Sequence, residues 1–359
     1  MRALSVTFRF DAGGSVGMGH LIRCRSLARS LQEKTKCLFR IVTSRADLVK
    51  ETWQGLNPCI EKPNQTDAGH RSIYGVLDLP KAHASDFNLL KGVADRVVWI
   101  NDSDSASYPV DILVRPNILY PLCAAQTRTC ECLSGSNYVI LDPSYQGISK
   151  HAKPIREEIR TVFVCFGGSD PRHYTSGVLR QLDRGLRPDI QIRAAIGPAF
   201  DRRRIPGINQ SRSHRLTILN SPSELASEFH GADMALIGGG TLLYEACALG
   251  VPSIVLPQTA EQYAEAKKFE SRGAVVVLSQ DPSIAAVMGE VDRLSDALME
   301  RAELSRNAKI AVSVSGASAL AQKMLTQSMD CYPFVSSLLP DMPGDCTAKQ
   351  GAQQFRTSK

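Results

Sequence analysis

The sequence predicts an α/β protein built as two doubly wound, Rossmann-like domains in tandem, facing each other across a cleft. Three observations carry this expectation. Short β-branched, apolar runs alternate along the chain with longer stretches of helical period. The runs stay apolar from end to end, as strands buried on both faces of a parallel sheet do. The length, 359 residues, makes room for two cores at ~150 residues per domain.

In the first half, strands are expected over 3–10, 37–43, 73–78, 96–100, 111–114 and 138–141, with helices over 19–34 and 83–94. In the second, strands are expected over 161–166, 190–196, 216–219, 234–237, 253–256 and 274–278, with helices over 174–184, 223–229, 241–249 and 260–272. A long helix over 283–303 follows, and the helical period continues over 304–325. Between the halves, residues 142–160 are polar, carry two prolines and show no period. The expected organisation is an N-terminal domain over 1–145, a linker over 146–160 and a C-terminal domain over 161–328. The tail, 329–359, is rich in Pro, Gly, Ser and Gln and is expected to be disordered.

Composition narrows the function. At 43% hydrophobic and 22% charged residues, the chain is that of a globular protein. The balance of 42 basic against 36 acidic residues gives +6, mild for this size. Basic residues are scattered apart from Arg202, Arg203 and Arg204, so no charged stripe with interleaved aromatics marks a nucleic-acid partner. The positive balance suits an anionic small molecule. No apolar run approaches the ~18 residues of a membrane span. The opening MRALSVTFRF reaches Asp11 too soon for a signal peptide, so the cytoplasm is the expected compartment. Of ten cysteines, Cys24, Cys37, Cys59, Cys165 and Cys247 fall singly, while Cys123, Cys130 and Cys132 cluster. The cluster has no second pair at zinc-finger spacing, so reduced thiols and no metal are expected.

Ligands of doubly wound sheets bind beyond the carboxyl ends of the strands, so glycine-rich strand-to-helix turns are where chemistry is sought. Three such turns stand out. The first follows a strand ending near Phe10 and carries Gly17 and Gly19 ahead of a helix. Those glycines admit close backbone approach, and the helix N-terminus offers free N–H groups to an anion. His20 stands in the first helical turn, where the dipole favours a neutral imidazole able to take a proton from water or a hydroxyl. Asp11, on the same loop, could orient His20 or a ligand hydroxyl, or could equally hold the turn together. The second turn, Gly167-Gly168-Ser169-Asp170-Pro171, exposes backbone amides suited to phosphate and also reads as an ordinary helix entry. The third runs Gly238-Gly239-Gly240 into a helix at Thr241, an anion cradle. Glu245 lies one turn on, facing the same side as Thr241, where a carboxylate can accept the hydroxyls of a ribose. Neither a Walker pattern nor a G-x-S-x-G elbow is present, which disfavours P-loop ATP hydrolysis and serine hydrolysis.

At these turns the sequence resembles the glycosyltransferase-B (GT-B) superfamily, and within it the nucleotide-sugar hydrolases of pseudaminic acid biosynthesis. The resemblance rests on F-R-x-D-A followed by G-x-G-H-x-x-R-C at 8–24, F-G-G-S-D-P at 166–171, and the GGGT-to-GVP segment at 238–252. It implies two facing domains and a UDP-linked 2,4-diacetamido-2,4,6-trideoxy hexose as substrate. Water would cleave the anomeric C–O bond with inversion, without cofactor or metal. By resemblance His20 is the catalytic histidine, which positions or deprotonates the attacking water. Gly239, Gly240 and Thr241 hold the diphosphate, Glu245 the ribose, and Gly168 and Ser169 the other side of the phosphates. Asp11, Gly17, Gly19, Arg23, Glu261 and Gln262 complete the expected substrate contacts. Two positions depart from the family pattern. Asp78 is followed by Leu79 and Pro80 where the family carries Asp-His-Tyr, and Ala260-Glu261-Gln262 stand where it tends to carry Glu-Asn-Gln. The alternative is an inverting GT-B glycosyltransferase with a UDP-N-acetylhexosamine donor; a third reading is a protein that binds the nucleotide without turnover.

Overall fold

A computed structural model of the chain describes residues 3–331, apart from 14–15, 67–68, 70, 104–108, 120–129, 198–199, 202, 204–215 and 221–224. The expected tail beyond 331, Cys123, Arg202 and Arg204 lie outside the described residues.

The first unit runs β1 (Leu4–Phe10), α1 (Gly19–Gln32), β2 (Cys37–Val42), α2 (Ala46–Thr52), β3 (Cys59–Glu61), β4 (Ser72–Asp78), α3 (Ala84–Val93), β5 (Ala94–Ile100), β6 (Ile112–Arg115) and β7 (Glu131–Ser134). Its sheet has the order β3-β2-β1-β4-β5-β6-β7, all pairings parallel. After α4 (Pro143–Ile148), the second unit runs β8 (Thr161–Cys165), α5 (Tyr174–Gly185), β9 (Gln191–Ile196), β10 (Leu216–Asn220), α6 (Ala226–Gly231), β11 (Met234–Ile237), α7 (Thr241–Ala248), β12 (Ser253–Val255), α8 (Ala260–Glu270) and β13 (Val276–Val277). This sheet, also parallel, has the order β10-β9-β8-β11-β12-β13. Three helices close the described chain: α9 (Ile284–Asp296), α10 (Leu298–Ala311) and α11 (Gly316–Cys331).

Burial on both faces explains the sheets. Val6, Phe8 and Phe10 of β1 are fully buried against α1 through Leu21, Leu27 and Leu31. On the other face Thr7 hydrogen-bonds Ser72 at 2.8 Å. In each sheet the strand order reverses beside the first strand, between β1 and β4 and between β8 and β11. Those two switch points open crevices at the carboxyl ends of the strands, and all three glycine-rich turns lie there.

Four differences from the sequence expectation stand out. The short elements α2, β3 and β7 show too few residues to reveal a period. Residues 138–141 form no strand, and the supposed linker opens with a helix instead. Asp142 caps α4 by accepting from the Ser144 N–H at 3.0 Å, with Pro143 at the first helical position. The long helix over 283–303 breaks at Ala297 into α9 and α10. The last helix, expected with the C-terminal domain, crosses back: Ala317, Leu320, Ala321 and Met324 of α11 join the first core, and the Tyr74 hydroxyl donates to the Met324 carbonyl at 2.8 Å. An amphipathic stripe announces a helix but not which core receives it. The units also touch directly, the Ile118 N–H donating to the Tyr244 hydroxyl at 2.9 Å.

The expectation of reduced thiols is corrected at one place. Cys132, on the edge strand β7, is disulfide-bonded, whereas Cys24, Cys37, Cys59, Cys130, Cys165 and Cys247 are free. Spacing rules for zinc sites do not address pairing across a fold. No helix among the described residues is long and apolar enough to cross a membrane.

Candidate active site

Facing crevices enclose a cleft of about 830 Å³, within the range of small-molecule sites. His20, the second residue of α1, projects into it. Its Nδ1 lies 2.7 Å from Oδ1 of Asp78, the last residue of β4. Arg23, one turn further along α1, grips the same carboxylate: Nη2 donates to Oδ1 at 2.6 Å and Nε to Oδ2 at 3.0 Å. Its Nη1 donates to Asp102 at 2.7 Å, so the guanidinium is held between two acids. Asp78 is fully buried. Burial alone would raise its pKa, but Arg23 and His20 hold it at about 2.

This arrangement sets the histidine tautomer. Arg23 Nη2 is 3.2 Å from His20 Nδ1, so two groups compete for that nitrogen. The shorter contact is to an ionised carboxylate, which makes Nδ1–H the donor and leaves Nε2 with its lone pair for the cleft.

The opposite wall is made of backbone. Gly168 and Ser169 follow β8, and Gly239, Gly240 and Thr241 lead from β11 into α7; all five line the cleft. Gly240 takes φ +69°, where a side chain would be strained. Gly239 packs so closely on α8 that an added Cβ would sit 2.7 Å from the Gln262 Cβ. Gln262, which also lines the cleft, accepts from the Gln258 N–H at 2.9 Å, and Gln258 Nε2 donates to the Phe166 carbonyl at 2.5 Å. These bonds brace the loop before α8, which packs on the third turn, against the second. The first and third turns meet across the cleft: a Cβ built on Gly19 would lie 3.5 Å from Thr241 Oγ1.

Glu245 lines the same cleft although it is only 7% exposed. Burial pushes its carboxyl up to about 8, opposed by the nearby Tyr145 hydroxyl and Arg25 and reinforced by Asp142. Its Oε2 meets no hydrogen-bond partner.

Most residues singled out in the sequence therefore come together here: Gly17, Gly19, His20, Arg23, Gly168, Ser169, Gly239, Gly240, Thr241, Glu245 and Gln262. Asp11 and Glu261 do not line the cleft. Asp11 accepts from the Ser44 hydroxyl at 2.8 Å and the Ser44 N–H at 3.1 Å, and pairs with Arg9 at 3.0 Å. It ties its loop to the end of β2 rather than orienting His20. Glu261 is exposed in the first turn of α8. Its own backbone N–H and the Thr259 hydroxyl hold its carboxyl below the usual range, which is helix capping. On this helix it is Gln262, one position on, that turns inward.

Sequence reasoning noted Asp78 without giving it a role and missed Gln258 and Tyr145. Asp78 carried a signal, an acid ending a buried apolar strand. Gln258 and Tyr145 carried none, because each acts through a contact distant in sequence.

No family model matches the chain. It is similar to the spore coat polysaccharide biosynthesis protein SpsG of Bacillus subtilis, 28% identical over 290 residues, 75% of this chain and 81% of that one. It is also similar to the uncharacterized protein MJ1062 of Methanocaldococcus jannaschii, 29% identical over 268 residues, 70% of this chain and 55% of that one. A third relative, from Helicobacter pylori, is described as a pseudaminic acid cytidylyltransferase and UDP-2,4-diacetamido-2,4,6-trideoxy-beta-L-altropyranose hydrolase; it is 23% identical over 261 residues, 72% of this chain and 45% of that one. The chain thus spans about half the length of the latter two. Among solved structures it is similar to CalG4, the calicheamicin glycosyltransferase, at TM-score 0.61 and 14% identity, covering 92% of this chain and 99% of that one. Acinetobacter baumannii MurG superposes at TM-score 0.56 and 12% identity, over 90% and 99%. A UDP-GlcNAc 2-epimerase from Neisseria meningitidis, bound to UDP-GlcNAc, superposes at TM-score 0.56 and 11% identity, over 90% and 100%. The chain therefore has the two-domain α/β fold of the GT-B glycosyltransferases and epimerases.

Proposed function

We propose that this protein is an enzyme of nucleotide-sugar metabolism that hydrolyses a UDP-linked 2,4-diacetamido-2,4,6-trideoxy hexose to UDP and the free sugar, inverting the anomeric carbon, in pseudaminic (nonulosonic) acid biosynthesis in the cytoplasm. The observation that carries this reading is the 2.7 Å contact between His20 Nδ1 and Asp78, which leaves Nε2 to act as a base opposite a diphosphate cradle. The printed activity of the Helicobacter relative and the polysaccharide context of the Bacillus relative support it.

In this mechanism Nε2 takes a proton from water as the water oxygen attacks C1 from the face opposite UDP. The C1–O bond breaks and its electron pair leaves on the β-phosphate. Asp78 steadies the imidazolium, and the proton then passes to solvent. Backbone N–H groups of the glycine turns and the N-terminus of α7 receive the charge of the departing diphosphate. Gly168 and Ser169 face Gly239, Gly240 and Thr241 across the phosphates, while Gln262 and Arg23 flank the sugar.

The test is UDP release from a panel of UDP-linked 2-acetamido and 2,4-diacetamido sugars, with neither metal nor acceptor added. Release of UDP with an inverted free sugar is expected. The fold shared with CalG4 and MurG favours, as second reading, an inverting transferase with a UDP-N-acetylhexosamine donor. UDP binding with turnover only after an acceptor hydroxyl is supplied would select that reading, and no UDP binding would overturn both.

A further inference from the structure

Behind the reaction centre the cleft continues along the other flank of α1. Positions 20 and 23 share one side of that helix, while 22, 25 and 29 share the opposite one. Accordingly His20 and Arg23 turn to Asp78, whereas Arg25 and Arg29 reach Asp142 at 3.4 and 3.0 Å. Asp142 is the cap of α4, so this short connecting helix is bound to α1 and forms a wall facing α7.

Three buried side-chain oxygens line this chamber with no well-formed hydrogen bond: Ser144 Oγ, and the Tyr145 hydroxyl and Glu245 Oε2, which lie close enough to interact with each other. Tyr145 is 2% exposed and Glu245 7%. Buried polar atoms are normally fully satisfied, so three oxygens with no better partners than one another keep bonding capacity that a ligand can fill. The set combines a carboxyl and two hydroxyls, each able to donate or accept, which matches adjacent hydroxyls on a ligand. Glu245 is four residues beyond Thr241, ~6 Å along the helix axis from the anion cradle. That spacing is comparable to the separation of a 5′-diphosphate from the 2′- and 3′-hydroxyls of its nucleoside.

We infer that Tyr145 and Ser144 of α4 bind the ribose of a nucleoside diphosphate from the side opposite Glu245. The segment joining the two units thus reads the ribo sugar, and the nucleotide is held between α7 and a helix anchored to the one that bears His20. This inference rests on the nucleotide-sugar reading and deepens it.

Calorimetric titration of UDP and of 2′,3′-dideoxy-UDP into wild type, Tyr145→Phe and Ser144→Ala tests it. Tyr145→Phe is expected to weaken UDP about tenfold, as for loss of one hydrogen bond, and to leave dideoxy-UDP binding unchanged. Ser144→Ala, which carries the test if Tyr145→Phe does not fold, should show a smaller loss of the same kind. Variants that bind UDP as wild type does, or that lose both ligands equally, would overturn the inference, the second result meaning a packing role. Wild type that binds neither ligand would overturn the nucleotide-sugar reading itself, whereas UDP binding indifferent to both variants overturns this inference alone.

Discussion

The two walls of the cleft are built on the same plan and do opposite things with charge. On the first, the switch point between β1 and β4 is crowded with ionic side chains, each satisfied by another: His20 by Asp78, Asp78 by Arg23, Arg23 by Asp102. On the second, the switch point between β8 and β11 is nearly bare, its turns made of glycine and backbone, with Glu245 Oε2 left without a partner. A fully paired network is rigid before any ligand arrives, as moving a proton requires. Backbone amides and an uncommitted carboxyl are completed only by what binds. One fold thus supplies a preorganised wall and a receptive one.

The comparison breaks most visibly at His20. His20→Ala should lower turnover by about 10²–10⁴-fold, the usual contribution of a general base, with UDP affinity unchanged by calorimetry. A loss of affinity as large as the loss of turnover would mean that the first wall binds rather than reacts. Asp78→Asn comes next, with turnover expected to fall about a hundredfold because the tautomer of His20 is no longer enforced. It should also destabilise the first unit by about 3–5 kcal/mol in thermal or denaturant unfolding, since Arg23 loses its buried counter-charge. A variant as stable as wild type would show that Asp102 alone suffices for Arg23.

On the second wall the effects are on binding. Gly239→Ala puts a methyl 2.7 Å from the Gln262 Cβ and must displace α8 or the turn. UDP affinity should drop about tenfold, the cost of modest overpacking, while Asp78 and His20 stay in place. The smallest effect sharpens the role of Glu245. A carboxyl raised to about 8 by burial is neutral, and free of penalty, below its unfolded value of ~4.3. As pH rises from there to about 8 the unfolded chain ionises this carboxyl while the folded chain keeps it neutral, so its contribution to stability is lost across that window and is gone above it. Glu245→Gln should therefore raise the melting temperature by a few degrees at pH 8 to 9, leave it unchanged near pH 4, and weaken UDP binding. Equal stabilisation at both pH values would argue for a packing effect instead.

The places where sequence reading stopped short share a cause. The helix of His20 was legible from Gly19 onward, but its orienting acid is 58 residues away. Asp11, nine residues away on the same loop, was the nearer candidate and is instead taken up by Ser44 and Arg9. Proximity along the chain weighs little when a parallel sheet places the end of β4 directly beside the end of β1, pairing Phe10 with Asp78. Similarly, Glu261 and Gln262 look equivalent in sequence, but one turn of α8 sends them to solvent and to the cleft respectively.

What the sequence determined by itself is local: apolar runs that must be buried strands, amphipathic stretches that must be helices, and glycine turns whose backbone must approach a ligand or another chain segment. These follow from dihedral preferences and periodicity, which neighbouring residues set among themselves. The tertiary structure alone decided that α11 crosses to the first core and that Arg23 sits between Asp78 and Asp102. It alone brought Tyr145 and Glu245 face to face, 100 residues apart in sequence. Those outcomes depend on side-chain partners brought together across tens to hundreds of residues, and only a packed core specifies such pairs.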